Sequence, residues 1–572
     1  MVTSPSPNFL ERKSTKMSIK RIFALLLVVA MLAVSFASCL NENPPSSTTP
    51  ADTTPDAPTS PQNPTSQKIT NVKICGGTDA IYSFGIAELS WYFAKKNITV
   101  SDSGYPILLS ISKLVARGGY KIEASESFLR ITGGDERGLA YGIYMFLEKF
   151  VGVQFLAADT VVVNDADVVL NTGVLDEFTP VFDIQYNPWY PIVSLPQKDG
   201  GNDSGNGQTQ TLALGTIIGI GGVAQPCLTD PENLPKAINY VKNYLASHPG
   251  IDTLVFSPSN NGDLYCQCPN CARIDAEEES HAGSYVRFIN SLIEAISPEY
   301  PDVKYAISIR TYLQIAPKNT KPVEGLSVYL STAGCHVTHP ITDTSCPNAV
   351  EFAECVKTWG ELCDSVHLEY VVTSTADYIP TFANFGSLRE NMQYFAENGI
   401  KSIRCTGNFA CPSGEFGELR VYLLSKLLID PYMTEEEYYA HMDSFLASYY
   451  GGGWEYIRKF IDKTVELAKD GHQLASESPL LGITAQEYKE NKATFEEWWN
   501  KAEELAGDRI DFVKRARYQW RFIQLLIIPD SLHAQMLIND VSRTKIAWRE
   551  KQWNIDAASD LFQSPDKWIY KS

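Results

Sequence analysis

The sequence is short of positive charge. Its 572 residues carry 48 Lys and Arg against 67 Asp and Glu, a formal net charge of −19. That balance excludes a polyphosphate partner, because nucleic-acid binding needs a basic footprint. The chain has no glycine-rich phosphate loop with a lysine and no His-Glu-x-x-His motif, so phosphate-loop and zincin chemistry are excluded. The "GIGG" at 219–222 has no supporting acidic residue for a dinucleotide site. A retained membrane span is not expected either. The apolar run "IFALLLVVAMLAVSFA" is short, follows the basic "KMSIKR" and leads into a polar spacer, the order of an export signal.

What is present points outward from the cytoplasm. The run ends in "FASC", a small-residue site closing on Cys39. It has the form of a bacterial lipobox, so residues 1–38 are expected to be a lipoprotein signal peptide and Cys39 the lipid acceptor. Residues 39–68 are rich in Pro, Ser and Thr, cannot build a core and read as an extended linker. The expected location is extracytoplasmic, with a lipid anchor holding the protein at the cell membrane.

A hydrophobic content of 44% with 11% aromatics supplies sizeable cores, and the length suits about three domains. Residues 69–172 alternate helical spacing ("IYSFGIAELSWYFAKK", "GLAYGIYMFLEKFVG") with strand runs ("PILLSIS", "FLRITGG"), the pattern of a small α/β domain. Asp135 stands at a helix N-cap, and Gly138, Ala140 and Gly142 permit close packing of that helix. Over 173–430, strand candidates such as "IDTLVFS", "VKYAISIR", "LSVYLST", "SVHLEYVV" and "KSIRCTG" alternate with helices. From 431 to 572 the chain is helical. The expected fold is α/β: a (β/α)8-type barrel preceded by a small α/β domain and followed by a helical bundle. Six or seven strands are legible, so barrel closure is an inference.

In such a fold catalytic groups project from the C-terminal ends of the strands. There lies "SPSNNGDLYCQCPNC" at 257–271, with Asn260, Asn261 and Asp263 followed by Cys266, Cys268 and Cys271. The polar residues either shape a turn or reach a substrate. Zinc accepts three such thiols if a fourth ligand comes from Cys335, His336, His339 or Cys346. In an exported chain a disulfide or a structural clamp serves as well. The thiols are therefore expected to hold the loop, and neither a metal nor a cofactor is assigned. Glu369 is acidic within the apolar run "VHLEYVV" and must be solvated at a strand end or paired. Glu415 and Glu418, ahead of "LRVYLLSKLL", are alternative acids, although acidic residues at a helix start also answer the helix dipole. Tyr370, Trp189 and Tyr190 could form a sugar platform or pack in a core. His339 is a structural hydrogen-bonder or a substrate contact.

Residues 69–172 resemble the accessory domain that precedes the barrel in α-glucuronidases and β-hexosaminidases, on the stretch "ITGGDERGLAYGIYMFLEKFVGVQFL". The middle region resembles the bacterial barrels of domain of unknown function 4838, some of which belong to glycoside hydrolase family 163. The matching stretches include "QPCLTDPENL", "NNGDLYCQCPNCARIDAEEESHAGSYVRFIN", "HVTHPITDTSCPN" and "GEFGELRVYLLSKLLIDP". The resemblance implies an endo-acting β-N-acetylglucosaminidase working on a glycan or glycoprotein. Tyr312 and His339 keep family positions, and Glu369 stands at an Asp position with Tyr370 retained. Two departures follow from the same comparison. Relatives carry Asn-Asp at Asn260-Asn261, and a Glu where this chain has Cys405 and Thr406. An amide at 260 or 261 can still orient a substrate acetamido group, with Glu369 as general acid. Asp263, Tyr312, His339 and Tyr370 are the expected substrate contacts. The other reading is a carbohydrate-binding lipoprotein with weakened catalysis on the same scaffold.

Overall fold

The computed structural model describes residues 66–157, 160–183, 193–194, 208–222, 224–259, 264–374, 380–406 and 415–527. Cys39, Trp189, Tyr190, Asn260, Asn261 and Asp263 lie outside the described residues. The chain divides into two compact units, Met1–Val153 with Val163–Thr179, and Gln154–Val162 with Pro180–Ser572.

The smaller unit is built on a six-stranded mixed sheet. Its strands are β1 (Asn71–Cys75), β2 (Thr99–Val100), β3 (Tyr105–Ile111), β4 (Tyr120–Ala124), β5 (Leu129–Gly133) and β6 (Gly173–Phe178). Their spatial order is β6-β4-β5-β3-β1-β2. Helix α1 (Ala80–Lys95) and helix α2 (Glu136–Phe146) belong to this unit. Asp135 caps α2 by accepting the Gly138 N–H at 2.8 Å, as its side chain predicts. A Cβ at Gly138 would stand 2.0 Å from the Gly119 carbonyl, so the helix approaches the β4 end only because that residue is glycine.

The larger unit carries a seven-stranded sheet, and every pairing in it is parallel. Its strands are β7 (Val193–Ser194), β8 (Gln208–Ala213), β9 (Ile251–Ser257), β10 (Lys304–Ser308), β11 (Leu326–Ser331), β12 (Val366–Val371) and β13 (Ile400–Thr406). The spatial order is β7-β13-β12-β11-β10-β9-β8, so the first strand pairs with the last. The unit is mixed α/β. Helices α3 (Leu214–Ile218), α4 (Asn233–Ser247), α5 (Pro269–Glu277), α6 (Ala282–Ile296), α7 (Pro347–Leu362), α8 (Leu388–Glu397) and α9 (Gly417–Ile429) fall between or after the strands. Helices α10 (Glu435–Tyr450), α11 (Trp454–Ala468), α12 (Lys492–Leu505), α13 (Ile510–Ala516) and α14 (Tyr518–Ile527) follow, with a short six-residue helix at Ala485–Glu490 between α11 and α12.

Strand β8 was not legible as a strand. Its "QTQTLA" has one large apolar residue, Leu212, and pairing with β9 supplies the order that its composition does not. Val181, Phe182 and Asp183, by contrast, are irregular although two of the three are apolar.

Register gives the sheet two unlike faces, because paired residues point the same way and neighbours alternate. Val328, Val366 and Ile400 align on one face, with Leu330, Leu368 and Ile403 beside them, and all six are buried. Tyr329, His367 and Ser402 form a row on the other face, followed by Ser331, Glu369 and Arg404. The sheet therefore presents an apolar side to its helices and a polar side lined with chemistry.

Glu278, at the end of α5, ties that helix to the segment before β11. Its carboxylate accepts the N–H groups of Asn319 and Thr320 at 2.7 and 3.0 Å and the Thr320 hydroxyl, and it pairs with Arg287. Burial alone would raise the carboxyl, but these donors overcome it and hold the group at about 2. A depressed folded value means that the stabilisation is complete above the ordinary Glu range and is lost as pH falls through about 2. Glu278→Gln is expected to cost about 2–3 kcal/mol at pH 7, with the deficit narrowing below about pH 4. Urea melts at pH 7 and pH 3 check this; a deficit that does not change with pH would rule out the charge as its source.

Candidate active site

Because the sheet is parallel, the C-terminal ends of β8–β13 lie along one edge. Glu369 belongs to that edge. It is half-buried on the polar face of β12, between Ser331 of β11 and Arg404 of β13. The Ser331 hydroxyl donates to its Oε2 at 2.8 Å and the Thr406 hydroxyl to its Oε1 at 3.2 Å. Two short hydroxyl side chains on flanking strands thus aim one carboxylate. His367 and Arg404 share this face, and neither was singled out from the sequence. The usable signal was the period-2 spacing of His367 and Glu369 in "VHLEYVV"; Arg404 needed the register.

Tyr370 points the other way, as strand alternation requires. It is buried with its ring against Phe395 at 5.3 Å between centroids, and its hydroxyl accepts the Asn391 side-chain N–H at 2.9 Å. The structure does not bring it together with Glu369. Cys405 is likewise buried on the apolar side, where burial pushes its thiol up to about 12. Of Cys405 and Thr406, only Thr406 reaches Glu369.

The two alternative acids are engaged by cations. Glu415 is 1% exposed and meets Arg420, 0% exposed, through both carboxylate oxygens at 2.8 Å. Burial raises its carboxyl, with Arg420 opposing. Arg420 also donates to Asn384 Oδ1 at 3.0 Å and the Phe382 carbonyl at 3.1 Å. The turn between them holds Phe416 at φ +60°, a strained value for a residue with a side chain. Its ring packs with Phe385, Tyr450, Phe460 and Trp499, which fixes the conformation. Glu418 lies in the first turn of α9, 3.6 Å from Arg515 on α13.

Next to the undescribed Asn260-Asn261 pair, Ser259 is clamped. Its N–H donates to Gln225 Oε1 at 3.1 Å, and Gln225 Nε2 donates to its carbonyl at 2.9 Å. The Tyr312 hydroxyl reaches the same Gln225 oxygen at 3.4 Å. Tyr312, Tyr265, Gln225, Cys266 and Cys271 line one small pocket. The structure therefore brings Tyr312 and the thiol loop together at the ends of β9 and β10. Gln225 was passed over in the sequence because glutamine carries no motif signal.

The fourth thiol beside Cys266, Cys268 and Cys271 is Cys227, none of the four residues expected. Cys268 caps α5 and accepts the Cys271 N–H at 3.4 Å. The Thr229 hydroxyl and this N–H lower the Cys268 thiol, while burial raises Cys266. Two of the four residues expected to complete the set meet elsewhere: His336 Nδ1 is 3.3 Å from Cys346 Sγ, and His472 joins them. His339 stands beside that group, its ring 4.8 Å from His472 and its Nδ1 3.0 Å from Asp343. Val337 packs with Val371 in a small buried cluster, which seats this loop beside the end of β12.

Residues 203–462 match a family described as a domain of unknown function, DUF4838. Glu369, the thiol loop, Tyr312, His339 and the Glu415–Arg420 pair all fall within the DUF4838 region. No curated protein matches the chain. Among solved structures, a family GH115 4-O-methyl-α-glucuronidase with specificity for decorated arabinogalactans is similar at 12% identity, covering 87% of this chain and 76% of its own, with a TM-score of 0.45. A GH20 exo-β-N-acetylglucosaminidase from Vibrio harveyi is 11% identical over 68% and 75% of the two chains, TM-score 0.35. A Flavobacterium johnsoniae chitobiase is 9% identical over 88% and 97%, TM-score 0.38.

Proposed function

We propose that the DUF4838 domain is a glycoside hydrolase acting on N-acetylglucosamine-containing glycans, and that its parallel strands close as a (β/α)8-type barrel with the polar face inward. The observation that carries the reading is the position of Glu369. It is the candidate acid placed on the polar face at the C-terminal edge of the sheet and aimed by two hydroxyls, whereas Glu415 and Glu418 are engaged by arginines. A single protein carboxylate suits substrate-assisted hydrolysis, in which the sugar's acetamido oxygen attacks the anomeric carbon. Glu369 then protonates the departing glycosidic oxygen, and water opens the cyclic intermediate. Asn260 or Asn261, just past the β9 end, supplies the amide that orients the acetamido group.

A second reading, carbohydrate binding without turnover, is favoured by Thr406 and the buried Cys405 standing where relatives place an acid. Incubating the purified protein with mixed glycoproteins separates the two. The first reading expects free glycans in the supernatant, detected by mass spectrometry. Retention on the glycoproteins without release supports the second, and neither binding nor release would sink both.

A further inference from the structure

The loop that follows β9 contains more sulfur than a clamp of packed thiols needs. Cys227 Sγ stands 3.7 Å from Cys268 Sγ and 3.9 Å from Cys271 Sγ. The sulfurs of Cys227, Cys266, Cys268 and Cys271 all lie within 4.8 Å of one another. A disulfide would bring a pair to about 2.05 Å, and all four residues are free thiols. Four thiolates on a tetrahedral ion with metal–sulfur bonds of about 2.3 Å are instead spaced about 3.8 Å apart. The observed separations have that size.

We propose that Cys227, Cys266, Cys268 and Cys271 bind one zinc ion in a closed four-thiolate structural site. Zinc favours this ligand set and needs no redox partner. On binding, the thiols release their protons to solvent and four sulfur–metal bonds form, leaving a site of net charge −2. The surroundings suit that charge. Cys268 is the N-cap of the nine-residue helix α5, whose first turn carries positive dipole, and the Cys271 N–H donates to its sulfur. The Thr229 hydroxyl lies 3.3–3.5 Å from the sulfurs of Cys227, Cys268 and Cys271. Asn233 holds the Cys227 carbonyl at 2.8 Å, fixing the one ligand that comes from a distant segment. Four occupied positions leave none for water or substrate, so the ion's work is mechanical. It fastens the segment after α3 to the loop that carries Asn260 and Asn261, on the far side of the Gln225 clamp.

Elemental mass spectrometry of the purified full chain tests this without any variant. The expected result is one zinc per chain, released by a thiol-modifying mercurial. Cobalt exchanged into the site should show the strong visible bands and thiolate charge transfer of a tetrahedral four-sulfur centre. Cys227→Ser should reduce the zinc content to none and lower Tm. His472→Ala, which disrupts the separate His336–Cys346–His472 group, should keep its zinc and the cobalt spectrum. A full chain that is zinc-free and shows no cobalt–thiolate spectrum overturns the proposal. So does peptide mapping that finds these four cysteines in disulfides, or zinc that disappears with His472→Ala and survives Cys227→Ser.

Discussion

Glu369→Gln is expected to lower turnover on a glycan with a poor leaving group by about 10²–10⁴, the usual cost of removing a positioned general acid. The loss should be much smaller on an activated aryl N-acetylglucosaminide, whose leaving group departs with little protonation. The amide of the variant accepts from one of the two hydroxyls that hold Glu369, Ser331 or Thr406, through its oxygen and donates its NH2 to the oxygen of the other, so folding should be retained and Tm nearly unchanged. Comparing kcat on the two substrates reads the proton directly. An equal loss on both, in a protein with the parent Tm, would remove Glu369 from the acid role and assign it to positioning.

The largest stability effect should come from Arg420. Its guanidinium is fully buried and serves Glu415, Asn384 and the Phe382 carbonyl while lying 4.6 Å above the Phe385 ring. Arg420→Met leaves the Glu415 carboxyl buried without its cation and is expected to cost about 3–5 kcal/mol. Removing both charges with Arg420→Met and Glu415→Leu together should recover much of that, because the penalty belongs to the orphaned charge rather than to the missing attraction. Denaturant melts of the single and double variants measure it. A double variant as unstable as the single one would place the loss in packing against Phe385 instead. Glu415→Gln should lower stability but keep kcat, which separates this pair from the reaction.

The strands and helices that repeat an apolar period were legible in the sequence. Leu254 and Phe256 in "IDTLVF", and Leu368 between Val366 and Tyr370, reported buried β structure because alternation is a local property of the chain. The capping of α2 by Asp135 was legible for the same reason, since its partner Gly138 is three residues away. Strand β8 was not, because "QTQTLA" carries no such alternation and is ordered by its neighbour. Its case shows where local reading stops: a polar strand is stabilised by hydrogen bonds to another segment that its own composition does not name.

The candidate site divides along the same line. By itself the sequence determined that Glu369 sits in a strand near its end, that Cys266, Cys268 and Cys271 are neighbours, and that Glu418 opens a helix. Only the tertiary structure decided which side each residue faces and whom it meets. Register between β11, β12 and β13 put Ser331 and Arg404 either side of Glu369, and alternation sent Tyr370 into the helix-facing core. Chain folding brought Cys227 to the three clustered thiols and buried Glu415 on Arg420. The physical reason is range. Periodicity and capping act over a few residues and are written in adjacent letters, whereas a carboxylate's partners, or the fourth sulfur of a cluster, are set by strand order and packing between segments that the sequence holds far apart.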